Sequence, residues 1–178
     1  SGNLGTRLED NQEYGEFLTY QAGLSYALAS TGTRFRGNAG KGMKEPTFFE
    51  THSTGFSVGN PDLKPEVSRV WEVGLEQRLG DGGGQLSLTW FNQELEKLIQ
   101  YTFMPPEPEG PNYFNVARAR SRGLEVAGQL PLGAFLLTGG YTYLDTEVLD
   151  SGFDEGEGAT FVKGEPLIRR PEHQLNLG

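Results

Sequence analysis

Long stretches of this chain alternate apolar and polar residues, and each stretch stops at a cluster of glycine, proline or aspartate. In Phe17–Leu28 the apolar residues are Leu18, Tyr20, Ala22, Leu24, Tyr26 and Leu28, with Thr19, Gln21 and Ser25 between them. A side chain that changes face at every step is the signature of a strand with two unlike faces. The same pattern runs through Thr33–Lys41, Arg69–Leu79, Gln85–Tyr101, Tyr113–Leu130, Ala134–Val148 and Arg169–Leu177. It predicts an all-β, antiparallel fold of about seven strands, with no helix of normal length.

The links carry a second pattern. Ser30–Gly32, Gly80–Gly84 and Pro131–Gly133 are short and rich in turn residues. Between them fall the long links Gly42–Pro65, Thr102–Asn112 and Leu149–Glu165. Short and long alternate, so one end of the sheet is all tight turns and the other all long loops. Membrane β-barrels have this asymmetry, and a soluble sandwich or meander has no reason for it. Tyr113–Leu130 is also long for a soluble strand, which typically has about 5–6 residues.

Composition narrows the classes without choosing among them. Only 35% of the 178 residues are hydrophobic, and there are 26 glycines. No apolar run approaches the ~20 residues of a membrane-spanning helix, but alternating strands would not show one. A net charge of −9 argues against nucleic acid as a partner, and zero cysteines exclude a disulfide scaffold. The opening Ser1-Gly2 has no initiator Met and no signal-like segment, as expected for a processed chain or an excerpt of a longer one.

Catalysis finds little to stand on. His52 and His173 lie far apart in sequence, Ser53 is merely adjacent to His52, and Gly40-Lys41-Gly42 lacks the remainder of a phosphate loop. The chain reads as no enzyme, with no cofactor. The acidic stretch holding Asp150, Asp154, Glu155 and Glu157 offers weak calcium ligands without EF-hand spacing, and a solvated loop is its plain alternative. Tyr101, Phe103, Tyr113 and Phe114 flank a long loop, as ligand contacts or as an interfacial aromatic girdle. If Trp71 and Val73 face lipid, Glu72 and Glu76 face the interior, and so do Arg34 and Arg36 one strand away, where they can pair. Arg118, Arg120 and Arg122 share a face with Leu124, Val126 and Leu130, an arrangement that suits anionic headgroups above lipid tails.

Several blocks resemble one family. GKGMKEPTFFE, with Lys44, Pro46 and Glu50, is followed by Gly59–Glu66, GNPDLKPE, with Gly59, Asn60, Pro61, Leu63, Pro65 and Glu66 at the matching places. RLEDNQEYGEFLTYQAGLSYAL, FNQELEKLIQY, NVARARSRGLEV and PLIRRPEHQLNLG agree in order. Together they resemble the barrel of TonB-dependent outer-membrane receptors of the cobalamin or siderophore type. The resemblance implies a barrel of about 22 strands with a plugged lumen. This chain would be an internal segment of it, residues 1–178 forming a partial barrel domain without the plug. The implied setting is the bacterial outer membrane, among lipid and lipopolysaccharide. The implied partners are a cobalamin or ferric siderophore ligand and the TonB complex, reached through the plug. A passive porin-like or surface-binding barrel and a soluble carbohydrate-binding β domain are the alternatives.

Overall fold

The period-two segments become a single antiparallel sheet in which every strand pairs with its neighbours in chain order. The computed structural model describes residues 1–80, 82–105, 107, 109–152, 162–167 and 169–178. The strands are β1 (Gly2–Asn11), β2 (Gly15–Leu28), β3 (Thr33–Lys44), β4 (Glu66–Leu79), β5 (Gly84–Tyr101), β6 (Tyr113–Leu132), β7 (Phe135–Asp150) and β8 (His173–Leu177). A five-residue helix, α1 (Phe48–His52), interrupts the link between β3 and β4. Strands β5 and β6 have 18 and 20 residues, several times the usual length in soluble sheets, about 5–6.

The structure adds β1, which the sequence reading lacks. Gly2, Gly5 and Thr6 dilute its alternation, but Leu4 and Leu8 stand opposite Ala22 and Leu18 and complete the apolar face of β2. Several strand ends also move, three of them with consequences. Gly42, Met43 and Lys44 remain in β3 opposite Ser68, Val67 and Glu66, so the following link spans only residues 45–65. Pro131 belongs to β6, opposite Leu136, rather than to the turn. A proline is tolerated there because β5 begins at Gly84, opposite Leu130, so no strand asks for the Pro131 amide. The turn itself is residues 133–134, with Gly133 at φ 65. The last strand is shorter than expected and starts at His173.

Tight links join β2 to β3, β4 to β5 and β6 to β7 at one end, and at the other the strands are separated by residues 45–65, 102–112 and 151–172, much longer stretches of chain. The β1–β2 link breaks this rule. It lies at the long-loop end yet consists of residues 12–14, closed by an Asx turn in which Asn11 Oδ1 accepts from the amides of Glu13 (2.8 Å) and Tyr14 (3.1 Å).

Burial is confined almost entirely to that end. Leu63, Val67, Ala119 and Val148 are the buried hydrophobics, and Thr51, Ser57, Asn112, Thr146 and Ser151 are buried beside them. Among the described residues, no second layer covers either face along most of the sheet.

Candidate functional site

The two faces of the sheet differ in chemistry, and one of them changes along its length. Leu8, Leu18, Leu24, Tyr26, Phe35, Trp71, Val73, Leu88 and Trp90 share a face and are exposed, Leu24 to 74%. In register, Leu24 lies in one row with Gly37, Val73, Trp90, Leu124 and Tyr143 across β2 to β7. The apolar stretch does not follow these rows. Toward the long loops it ends at Leu18 before Glu16 on β2, at Trp71 before Arg69 on β4, at Leu124 before Arg122 on β6 and at Tyr143 before Asp145 on β7. Its other limit slides the same way, from Leu28 on β2 to Leu132 and Phe135 on β6 and β7. Leu18 to Leu24 is about 20 Å of strand, and β2 to β7 is about 24 Å of sheet, so the boundary slopes about 40° across the strands.

Beyond the boundary the same face turns ionic. Arg120 Nη2 meets Glu147 Oε2 at 2.6 Å, Arg122 Nε meets Asp145 Oδ2 at 2.7 Å, and Arg69 pairs with Glu96. Arg118 stands between Glu96 and Asp150 in register. Each arginine therefore has a carboxylate on a neighbouring strand, and the row is mixed in sign rather than cationic.

The opposite face is largely polar, with Val70, Phe91, Leu95 and Leu144 among its polar residues. Arg34 stands across from Glu76 and reaches it at 3.4 Å, and Arg36 Nε lies 3.8 Å from the same carboxylate. Gly74 has no side chain to block Arg36, which crosses it and donates from Nη2 to Thr89 Oγ1 at 2.7 Å. Glu72 takes a different partner from the arginines: it accepts from Asn38 Nδ2 at 2.8 Å.

The Gly59–Glu66 segment is where the fold is most specific. Thr47 and Glu50 form a capping box on α1, a Thr-x-x-Glu signature that the sequence carried and the strand pattern hid. Gly59 then passes the end of that helix so closely that a Cβ would lie 2.5 Å from the His52 nitrogen. The Asn60 amide donates to Glu50 O, its Nδ2 donates to Tyr113 O at 2.8 Å, and its Oδ1 accepts from the Asp62 amide. Pro61 follows in a turn closed by the Leu63 amide on Asn60 O. Leu63, 1% exposed, and Pro65 are buried. Glu66 accepts from the Ile99 amide at 2.7 Å and meets Lys44 Nζ at 3.2 Å. Pro46 leads into the Thr47 cap. The loop thus leaves β3, reaches past β5 and docks on β6.

That docking assembles an aromatic strip. Phe49 of α1 meets Tyr113 edge-on at 6.2 Å, Tyr113 meets Tyr101 at 5.2 Å, and Tyr101 meets Phe103 at 4.9 Å. Phe103 is 78% exposed. Three of the four flanking aromatics predicted from sequence come together, and Phe49 joins them from a loop more than forty positions away. Phe114, the next residue along β6, points to the other face of the sheet. Phe48 stacks on His52 at 4.8 Å, and Thr51 Oγ1 lies 2.6 Å from His52 Nδ1.

The calcium candidates are not assembled into a site by the described residues. Asp150 ends β7 and accepts from the Gly152 amide at 3.1 Å, while Asp154 and Glu157 lie outside the described residues. Among the described residues no three His, Cys, Asp or Glu side chains converge to hold a metal. His173 is far from His52, paired with the Tyr141 hydroxyl at 2.8 Å on the apolar face. In the β1–β2 turn, burial and then the Glu13 charge raise the Tyr14 phenol above its usual range, which keeps it neutral.

The sequence of residues 1–178 matches the family model described as TonB dependent receptor-like, beta-barrel. A curated relative, the vitamin B12 transporter BtuB of Photobacterium profundum, is 32% identical over 156 residues. The match covers 84% of this chain and 24% of the relative, so the chain spans about a quarter of that protein. The siderophore receptor PirA of Pseudomonas aeruginosa superposes with a TM-score of 0.73 at 20% identity, covering 84% of this chain and 32% of its own. A mutant of the ferric enterobactin receptor PfeA of the same species gives 0.73 at 22% identity, over 99% of this chain and 27% of its own. The sheet, its pairing order and its full-length family match together make this chain a member of the TonB-dependent receptor-like β-barrel family.

Proposed function

We propose that this chain forms part of the wall and mouth of an outer-membrane receptor that takes up a corrinoid of the vitamin B12 type with energy relayed by TonB. The sloping apolar boundary carries the membrane reading. A slope of about 40° lies within the 35–45° tilt of membrane barrel strands, and it arises naturally where a flat bilayer surface cuts tilted strands. Leu18 to Leu28 spans about 33 Å of strand, and at that tilt it stands about 25 Å tall, the height of an outer-membrane apolar band. Trp71, Trp90, Tyr141 and Tyr143 near its upper limit suit an aromatic girdle, with the mixed ionic row among the headgroups. The polar face with Arg34, Arg36, Glu72 and Glu76 then lines the interior, toward the plug.

The cargo reading rests on charge and on the curated relative. Residues 45–65 and 102–112 carry Glu45, Glu50, Asp62, Glu107 and Glu109 against Lys64 alone. Such a surface repels a strongly anionic ferric chelate. It tolerates a bulky ligand without large negative charge, whose apolar flanks can rest on Phe49, Tyr113, Tyr101 and Phe103. In this reading the receptor binds and passes its ligand and does no covalent chemistry on it. The decisive experiment measures uptake of labelled cyanocobalamin by cells carrying the full-length receptor, with and without TonB. TonB-dependent uptake is expected, together with about tenfold weaker binding by Tyr101→Ala, the loss of one ring contact and its buried area. Uptake of a ferric siderophore instead, at equal expression, would sink the cargo assignment.

A further inference from the structure

The side chain of Asn115, near the start of β6, makes three hydrogen bonds that reach two separate segments. Its Oδ1 accepts from the Lys64 amide at 2.8 Å, and its Nδ2 donates to Lys64 O at 2.8 Å and to Lys97 O at 2.7 Å. The first two bonds form a closed pair of the kind that two strands make, so one side chain stands in for a strand edge. The bond to Lys97 holds β5 at its weakest point. The β4–β5 ladder ends at the Val67–Glu96 pair, and Lys97 adopts φ 57, a left-handed conformation that lysine seldom takes. Asn112 repeats the device one step away: its amide donates to Val58 O, its Oδ1 accepts from the Val58 amide, and its Nδ2 donates to Thr102 O at 2.9 Å.

From this geometry we propose that Asn115 is a positioning residue that docks residues 45–66 as a strap across the β5–β6 tip, and that the ligand platform exists only while the strap is docked. Phe49 rides on the strap, whereas Tyr113, Tyr101 and Phe103 ride on the tip. When the strap is released, Phe49 leaves the strip and Lys97 is free to relax into ordinary strand geometry. Closure of the mouth and completion of its aromatic surface are thus one event. The proposal rests on the reading of the aromatic strip as the ligand platform, and its test separates the two.

The full-length receptor in detergent is compared with N115A and with Asn115→Asp, which keeps one acceptor and loses both donations. Amide exchange is followed without ligand, a fluorinated Phe49 reports its contact with Tyr113, and cyanocobalamin binding is measured separately. Both variants are expected to speed exchange across residues 45–66 about tenfold or more, to shift the Phe49 signal, and to leave exchange in β1 and β2 unchanged. Cyanocobalamin is expected to bind about tenfold more weakly to both. Lys97→Gly, which adopts the left-handed conformation freely, should hold the strap and the affinity at wild-type levels. Wild-type exchange and an unmoved Phe49 signal in the variants would overturn the strap, as would a released strap with undiminished affinity. If even the wild-type receptor binds no cyanocobalamin, the cargo reading falls, and the strap stands or falls on exchange and the Phe49 signal.

Discussion

The two ends of this sheet are built for different solvents. At the long-loop end, Leu63, Val67, Ala119 and Val148 are buried under loops, with polar groups satisfied by asparagine side chains, as in a protein that folds in water. Along the rest of the sheet, Leu24, Tyr26 and Leu8 stand exposed at 74%, 66% and 67%, with nothing packed on them. The cap contains its own core, and in the proposed setting the wall borrows one from the bilayer. The comparison explains why so acidic and glycine-rich a chain holds together. Its apolar side chains are few, but the wall needs them on one face only.

A charge in the wall should hurt most. Leu75→Arg puts a guanidinium midway along the apolar stretch of β4 and is expected to cost about 2–4 kcal/mol in the folded full-length barrel. Phe56→Arg, in the cap at 91% exposure, is the matching control and should cost nothing measurable. Unfolding in urea from lipid vesicles compares the two, and equal costs would erase the distinction between the ends. Next comes the core of the cap. Leu63→Ala removes one of its most deeply buried side chains and should cost about 2–3 kcal/mol locally, at the lower end for such changes because a loop can partly collapse into the space. Amide exchange should rise across residues 45–66 and leave the wall untouched. Smallest is Glu76→Gln on the polar face. It weakens contacts with Arg34 and Arg36 at once, yet these groups are 57% and 36% exposed, so the loss should be about 1 kcal/mol or less. A larger loss in the intact receptor than in a version with the plug removed would show that the pair also holds the plug.

Strands were legible because alternation is a local property, and six ordered blocks were enough to mark the family. Strand β1 escaped because glycine and threonine at its outward positions carry no hydropathy signal. The docking of Asn60 on Tyr113 and of Lys64 on Asn115 could not be read, since nothing local in GNPDLKPE names a partner some fifty positions away. The charges divide along the same line. Arg34 opposite Glu76 followed from face and neighbourhood, whereas the carboxylates beside Arg120 and Arg122 and the amide beside Glu72 depended on register. Register in turn depends on where β3 and β6 actually end, and those are among the boundaries that moved.

The short turn between β1 and β2 gives the mouth an uneven rim. There the strands stop just past Leu8 and Leu18, level with the end of the apolar stretch, whereas β6 runs on from Leu124 to Tyr113, on the order of 35 Å of further strand. With the membrane as horizon, the wall is a parapet that towers on the β5–β6 side and drops to a sill at residues 12–14. The aromatic strip sits near the top of the tower. Under the proposed function, cargo settling there would first touch the receptor far above the lipid, and anything drifting along the headgroups would meet the sill.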